Sequence, residues 1–342
     1  MLVLKFYFKE KSFYFYGFES FKFCVGTNSA RVSQRRSSSY TVIKEASLFS
    51  TRMKTVKVTD DMGESITMQE DAGFYFSTNI PTENIMKNPS FQARRDDILI
   101  VTYPKSGTHW MQAIVNLMVE NVDDLSERYK QYQYHLEYTP HQVMDNAPSP
   151  RVICTHLPFE RIPLDFLREK SRIVLCVRNP RDVAVSYFRF CANLKDIDYR
   201  GSFGGFFNLF ITGKLPYNSW FDHVFSWLKV ARSGRQNIHV VRYEDLKQGF
   251  LSTVSDLACY LKVDTSPELL EKIQKRTSFE NMKLSLSDYL REMSINGQSV
   301  IFRKGTVGDW RNYFSPAQVT MLEDVMEEWG LHKNKSISFY DE

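Results

Sequence analysis

Cysteine is scarce in this chain, and so are long apolar runs. The 342 residues include five cysteines, and no two of them have the Cys-x-x-Cys spacing of a redox or zinc site. The sequence therefore excludes a disulfide-stapled secreted scaffold and favours reduced intracellular thiols. No apolar run approaches the roughly 18 residues that would span a bilayer. We expect a soluble, cytoplasmic protein with no membrane partner.

Neither sign of charge dominates the main part of the chain. Residues 1–53 carry nine basic and three acidic side chains, a net charge of +6. Because the whole chain has a net charge of +4, the remaining residues carry −2. Broad nucleic-acid binding needs a one-sided basic field, so we expect no nucleic-acid partner. Any anion site in the main part of the chain must be local.

Residues 1–53 differ in composition from everything that follows. Residues 6–23 are dense in Phe and Tyr, and an Arg- and Ser-rich run occupies residues 30–39. Lys5 and Lys9 interrupt the opening apolar residues, so a secretory h-region is absent. We interpret residues 1–53 as an atypical leader, a disordered or non-native extension with Met53 as an alternative start. The basic, acid-poor second half leaves organelle targeting open as the alternative.

Short apolar runs alternate with helical patterns through the rest of the chain. The runs at residues 97–103, 151–155, 172–177 and 237–243 have the β-branched, uninterrupted character of buried parallel strands. Residues 109–120, the run through Phe190 and residues 251–261 have helical spacing. This order predicts a single α/β domain over residues 70–338, doubly wound, with a central, mostly parallel sheet flanked by helices. Ligands of such sheets bind at the carboxyl ends of the strands.

The first strand leads directly into a candidate anion-binding loop. Lys105, Ser106, Gly107 and Thr108 join the strand to a helix, which resembles a P-loop in its strand-loop-helix order. Backbone N–H groups at a helix N-terminus, a glycine and a lysine together suit a phosphate or sulfate. The Walker A pattern is absent, because Lys105 precedes the Ser-Gly pair. An ordinary βα turn remains the alternative.

Two further basic segments are candidates for a second phosphate. Arg178 follows the strand at residues 172–177, and Ser186 lies about two turns into the next helix. A guanidinium fork and a hydroxyl suit a phosphate, although a surface pair between Arg178 and Asp182 is the alternative. The other segment, Arg303-Lys304-Gly305, could close over a nucleotide or form a solvated turn.

His156 follows the strand at residues 151–155, in the region where catalytic groups of such sheets lie. Its unperturbed pKa near 6.5 suits a general base, and a structural histidine is the alternative. The remaining histidines show neither His-x-His nor His-Glu-x-x-His spacing, so we expect no metal site.

Six segments taken together resemble the cytosolic sulfotransferase family. In chain order they are TYPKSGTHW (102–110), CTHLP (154–158), RNPRDVAVSYF (178–188), RYEDLK (242–247), TSFENM (277–282) and FRKGTVGDW (302–310). LPYNSWFDH (215–223) is also similar to family sequence. The resemblance covers roughly residues 70–335, in the order and spacing of the family.

The resemblance implies transfer of a sulfuryl group from 3′-phosphoadenylyl sulfate (PAPS) to a hydroxyl or amine, with 3′-phosphoadenosine 5′-phosphate (PAP) as product and without a metal. It implies His156 as general base, with Lys105 and Ser186 as the other catalytic residues. The implied nucleotide-binding residues are Lys105, Ser106, Gly107, Thr108, His109, Trp110, Arg178, Ser186, Tyr243, Thr277, Phe279, Met282, Arg303, Lys304 and Gly305. Phe190 and His156 would contact the acceptor, and residues 73–76 match positions near it. The acceptor would be a small apolar phenol, steroid, alcohol or amine.

Three positions depart from the family pattern. Cys154 stands where the family usually has a lysine, and His109 stands where a threonine usually follows Thr108. These two changes leave a PAPS- or PAP-binding protein with weak or lost catalysis as the alternative function. The family's dimer motif survives here only as Arg311, with Ser315, Pro316 and Thr320 at its other positions, so a homodimer is an open expectation. A P-loop kinase is disfavoured because the Walker A pattern, whose Ser or Thr after the lysine binds magnesium, is absent around Lys105.

Overall fold

Strands and helices alternate along the chain in a computed structural model that describes residues 53–120, 134–197, 199–285, 294–295 and 301–331. These residues all belong to the larger of two units of the chain, residues 46–342. The strands are β1 (Lys54–Thr59), β2 (Ser65–Asp71), β3 (Phe74–Ser77), β4 (Ile98–Thr102), β5 (Tyr134–His135), β6 (Val152–Thr155), β7 (Arg172–Val177) and β8 (Ile238–Arg242).

The α-helices of the described residues include short single turns and six elements of ten residues or more. They are α1 (Thr82–Lys87), α2 (Thr108–Glu120), α3 (His141–Asp145), α4 (Asp165–Arg168), α5 (Pro180–Asn193), α6 (Phe203–Ile211), α7 (Trp220–Ser233), α8 (Tyr243–Gln248), α9 (Phe250–Leu261), α10 (Pro267–Arg276), α11 (Phe279–Ser285) and α12 (Pro316–Glu328). Three 3-10 helices cover Asn88–Ser90, Phe159–Arg161 and Asp309–Asn312. None of the helices in the described ranges is both long and apolar enough to cross a membrane.

The central sheet has five parallel strands in the order β5-β6-β4-β7-β8. Every residue of β4 is buried, as a central strand covered on both faces requires. Successive side chains point to opposite faces of a strand, so Leu99 and Val101 join one apolar core while Ile98 and Ile100 join a second. Because helices cover both faces, the predicted α/β fold with a parallel sheet is confirmed.

An antiparallel sheet of three strands, β1-β2-β3, precedes the central sheet. The sequence interpretation began the main domain at about residue 70, whereas ordered strands start at Lys54. β1 carries no buried residue, so its sequence lacks the apolar signal of a strand. The turn between β2 and β3 places Ala72 and Gly73 at positive φ, and Phe74 and Phe76 then pack into the larger core.

Helix α6 (Phe203–Ile211) is not among the elements predicted from the sequence. The hydroxyl of Ser202 accepts a hydrogen bond from the Gly205 N–H and caps this helix. The expected leader lies outside the described residues as far as residue 52, and its state stays a prediction. At the degraded dimer motif, Ser315 caps helix α12 in a capping box with Gln318.

Candidate functional site

A cavity of about 850 Å³ lies beyond the carboxyl ends of strands β4, β6 and β7. Of the residues that the sequence predicts to be catalytic, to bind the nucleotide or to contact the acceptor, Ser106 alone does not line this cavity, and its side chain is fully buried. The predicted residues that line the cavity are Lys105, Gly107, Thr108, His109, Trp110, His156, Arg178, Ser186, Phe190, Tyr243, Thr277, Phe279, Met282, Arg303, Lys304 and Gly305. Residues up to 200 positions apart in sequence therefore surround one space.

The loop between β4 and α2 adopts a conformation that its glycine makes possible. The Ser106 N–H donates to the Tyr103 carbonyl at 3.1 Å, and Lys105 and Gly107 have φ angles of 69° and 104°. A Cβ at position 107 would lie 2.9 Å from the Tyr243 ring, so a side chain there would meet both strain and a clash. The loop thus brings its backbone close to the cavity at the start of α2.

Lys105 is held in a desolvated position at the edge of this loop. Its Nζ lies 4.1 Å from the centroid of the Phe190 ring, on helix α5. Burial lowers the pKa of Lys105 to about 7, and the charge of Arg178 acts in the same direction. A negative group in the cavity would favour the charged form of this ammonium.

The Arg178 guanidinium connects two loops of the site. It donates from Nη1 to the Lys105 carbonyl at 3.1 Å and from Nη2 to the Thr306 carbonyl at 3.4 Å. Its Cζ also lies 4.2 Å from the centroid of the Tyr243 ring. The alternative in which Arg178 forms a surface pair with Asp182 is therefore wrong.

Asp182 instead holds the late loop against helix α5. Its two carboxylate oxygens accept from the Gly308 N–H at 2.7 Å and from the Trp310 N–H at 3.1 Å. Asp182 is buried, so these bonds are shielded from water. Arg178 and Asp182 thereby hold the late loop in position, although both lie more than a hundred positions before it in the sequence.

Arg303 and Lys304 are partly exposed, and both are held by a shared carboxylate rather than by solvent alone. Both cations pair with Asp309, which Lys304 Nζ approaches to 2.6 Å. Burial opposes ionisation of Asp309, but the hydrogen bonds from Lys304 and Arg303 lower its pKa to about 2. One buried carboxylate thus gathers two cations at the cavity wall.

Trp110 and Phe279, the expected adenine sandwich, line the same cavity. The Trp110 ring packs edge-on to Tyr243 with centroids 5.3 Å apart and stacks on Phe250 at 6.0 Å. Phe279 contacts Phe302 at 5.9 Å, and a Cβ at Gly305 would lie only 2.3 Å from the Phe279 ring. The glycine therefore allows the late loop to approach Phe279, and the sandwich stays a prediction.

One ring nitrogen of His156 forms a hydrogen bond with the protein backbone. Its Nδ1 lies 2.8 Å from the Thr102 carbonyl oxygen; because a carbonyl only accepts, the proton of the neutral ring is on Nδ1 and the lone pair is on Nε2. Burial lowers the pKa of His156 to about 3, with His135 acting in the same direction and Glu137 in the opposite one. The imidazole is thus neutral near pH 7.

The two departures from the family pattern lie in different surroundings. Cys154 is buried in the second apolar core, where burial raises its pKa, and it does not line the cavity. His109 does line the cavity, and burial together with the neighbouring Lys105 charge lowers its pKa to about 3. His109 therefore adds a neutral polar ring to the site near pH 7.

The charge of the cavity is one-sided. The described lining residues include no carboxylate. They include five basic side chains: Lys105, Arg178, Lys247, Arg303 and Lys304. In a site partly shielded from water, such a set favours a multiply charged anion. The described residues contain no group of three or more His, Cys, Asp or Glu side chains placed to hold a metal ion.

Several lining residues were missed by sequence reasoning. Residues 73–76 do not reach the cavity, whereas Ser77 and Asn79 just beyond them do. His135 and Tyr217 also line it, although neither was assigned to the site. β5 has only two residues, too few to show periodicity, so no sequence signal marks His135.

Comparison with known proteins identifies relatives along most of the chain. The sulfotransferase domain family matches residues 95–334. Sulfotransferase 2A6 of Mus musculus is 33% identical over 248 residues, which cover 70% of this chain and 85% of the relative. Sulfotransferase 6B1 of Danio rerio is 31% identical over 277 residues, covering 80% and 91% of the two chains.

Solved structures show the same architecture. The mouse sulfotransferase SULT7A1 complexed with PAP has a TM-score of 0.65 and 31% identity, covering 75% of this chain and 92% of its own. A retinol dehydratase in complex with androsterone and PAP has a TM-score of 0.68 at 20% identity, covering 80% and 91%. At that identity the second likeness concerns the fold alone.

Proposed function

Since this chain belongs to the sulfotransferase family, we propose that it transfers a sulfuryl group from PAPS to a hydroxyl or amine of a small acceptor. The observation that carries the proposal is the position of His156, a neutral imidazole with a lone pair on Nε2, in one cavity with Lys105 and Arg178. A base and an anion site that share one cavity are what this transfer requires.

The residues of the cavity suit PAPS. Two buried polar atoms of lining residues, Arg178 Nε and Trp110 Nε1, have no hydrogen-bond partner among the described residues, and buried polar atoms in proteins are usually paired. The five lining cations fit an anion with two separated phosphate groups. Lys105, Ser106, Gly107, Thr108 and His109 would hold its 5′-phosphosulfate, and Arg178, Ser186, Arg303, Lys304 and Gly305 its 3′-phosphate. Trp110, Tyr243, Thr277, Phe279 and Met282 would surround the adenine.

PAPS, when bound, supplies an activated sulfuryl group and leaves as PAP. His156 then has the task of accepting the proton of the acceptor hydroxyl on Nε2, as that oxygen bonds to sulfur. Lys105 has the task of placing its ammonium where negative charge develops on the departing phosphate oxygen. Ser186, on helix α5, also lines the cavity and would contact the 3′-phosphate of the nucleotide. Phe190 would contact the acceptor.

The direct test is transfer of labelled sulfate by the full chain. We expect label to pass from PAPS to at least one member of a panel of phenols, steroids, alcohols and amines in the presence of a metal chelator. Tight PAP binding without any transfer would favour the alternative, a nucleotide-binding protein with weak or lost catalysis, to which His109 in the cavity points. Transfer of phosphate from ATP with magnesium would instead indicate a kinase.

The late loop offers a test of the nucleotide end of the cavity. We expect Arg303→Ala to weaken PAP binding by about 10- to 100-fold, because charge-assisted hydrogen bonds typically contribute about 1.5–3 kcal/mol. Isothermal titration calorimetry measures the change directly. Arg235→Ala, at an exposed arginine beyond helix α7, is the matched control and should leave PAP affinity unchanged. Equal affinity of the Arg303→Ala variant and wild type would remove Arg303 from the binding site.

A further inference from the structure

A second histidine lies against His156 in the same cavity. His135, on the short strand β5, has its ring centroid 4.7 Å from that of His156. Both rings line the cavity, yet His135 has no role in the transfer described above. This separation allows both imidazoles to contact one bound molecule.

A buried carboxylate stands behind both histidines. Glu137 is fully buried; its Oε1 accepts from the His156 backbone N–H at 2.8 Å, and its Oε2 lies 3.1 Å from Nδ1 of His135. Burial opposes ionisation, but the charges and hydrogen bonds of the two histidines keep the pKa of Glu137 below its usual value. A carboxylate beside Nδ1 favours the tautomer with its proton on that nitrogen. The lone pair of His135 is then on Nε2.

The 3.1 Å contact between Nδ1 of His135 and Glu137 lacks hydrogen-bond geometry, and the Nε2 atom of His135 is buried with no partner at all in the part of the chain that the structure describes. Buried polar atoms without a partner are uncommon and costly in proteins. An acceptor substrate with an O–H or N–H group beside Nε2 of His135 would donate a hydrogen bond to this nitrogen. A purely apolar acceptor would leave it unpaired.

We propose that His135 is a specificity-determining residue that accepts a hydrogen bond from a second O–H or N–H group of the acceptor molecule. This second group is attached to the atom adjacent to the carbon that carries the hydroxyl to be sulfated. The inference rests on the proposed sulfuryl transfer and narrows its acceptor class. Acceptors with two adjacent hydroxyls, such as catechols and vicinal diols, fit two touching imidazoles, one for each oxygen. A site built to bind a substrate hydroxyl discriminates against analogues that lack it.

The experiment compares catechol with hydroquinone, which has the same two hydroxyls at opposite ends of the ring. With the full chain and saturating PAPS, we expect kcat/KM to be about 3- to 10-fold higher for catechol, the range that one net hydrogen bond contributes. In His135→Phe we expect the two values to become equal within about twofold, with hydroquinone turnover retained, because a ring of similar shape replaces the imidazole. His239→Phe, at a histidine of β8 stacked on Tyr260, is the matched control and should keep the preference.

Each outcome bears on one of the two proposals. Equal rates with catechol and hydroquinone in the wild-type chain overturn the role of His135 while sulfuryl transfer stands, and this comparison needs no variant to fold. A catechol preference that persists in His135→Phe also overturns it. The role of His135 is supported if the catechol preference is lost in His135→Phe and retained in His135→Gln, because glutamine keeps a hydrogen-bond acceptor. Absence of transfer to either compound and to the wider panel overturns the proposed function itself.

Discussion

We expect His156→Ala to lower kcat/KM for sulfuryl transfer by about 10²- to 10⁴-fold, the range that a positioned general base contributes. The Nε2 lone pair of His156 is the group that would take the acceptor proton, and alanine has no replacement for it. PAP affinity should stay within about twofold of wild type, because His156 is bound through Nδ1 to Thr102 and not assigned to the nucleotide. Steady-state kinetics and calorimetry measure the two quantities separately.

A structural role for His156 would give a different pattern. Loss of PAP binding together with activity, and a lower melting temperature, would mean that the histidine supports the fold around Thr102 and Glu137. His239→Ala provides the control for a half-buried histidine away from the cavity and should change neither quantity. Unchanged transfer in His156→Ala would show that another group removes the proton.

The neutral state of His156 also predicts how the activity depends on pH. Because burial lowers its pKa to about 3, the imidazole loses its function as a base only when the pH falls toward that value. A bound anionic nucleotide opposes this shift and makes His156 a stronger base. For the enzyme without bound nucleotide, His156 thus imposes no loss of kcat/KM for PAPS at pH 6.5, the usual pKa of a free histidine.

The central sheet is the part of the fold that the sequence predicts best. The run predicted at residues 172–177 coincides with β7, and that at residues 97–103 contains β4. These strands are buried on both faces, so their apolar character is continuous and easily distinguished from the polar loops that follow. The three-stranded sheet at the start was missed because β1 is held by pairing to β2 rather than by burial.

The site residues follow the same logic. His156 and Arg178 come directly after buried strands, and Lys105 is the third residue after one. Parallel strands bring their carboxyl ends to one edge of a sheet. The partners of these residues were not predictable, because they come from distant segments. The pairing of Asp182 with the Gly308 and Trp310 N–H groups spans more than 120 positions, and only the folded chain places them together. His135 was missed because its strand, β5, has only two residues and gives no periodic signal in the sequence.

We expect Lys105→Met to lower kcat by about 10²- to 10³-fold, which corresponds to about 2.7–4 kcal/mol of lost transition-state stabilisation. The Lys105 ammonium is the cation proposed to meet the charge on the departing phosphate oxygen, and methionine matches its length without its charge. Lys87→Met is the control, because Lys87 forms an exposed pair with Glu83 and does not line the cavity. Single-turnover kinetics at saturating PAPS isolates the transfer step.

Lys105 should also make nucleotide affinity depend on pH. Its pKa in the empty cavity is lowered to about 7 by burial, and a bound phosphate raises it, so binding takes up a proton above that pH. The protonation of Lys105 therefore affects PAP affinity only above pH 7. There the affinity for PAP falls by up to tenfold per pH unit. In Lys105→Met this decline between pH 7 and 9 should disappear, whereas Lys87→Met should retain it. A flat wild-type profile over that range, or an unchanged decline in Lys105→Met, would show that Lys105 is not the cation that the nucleotide recharges.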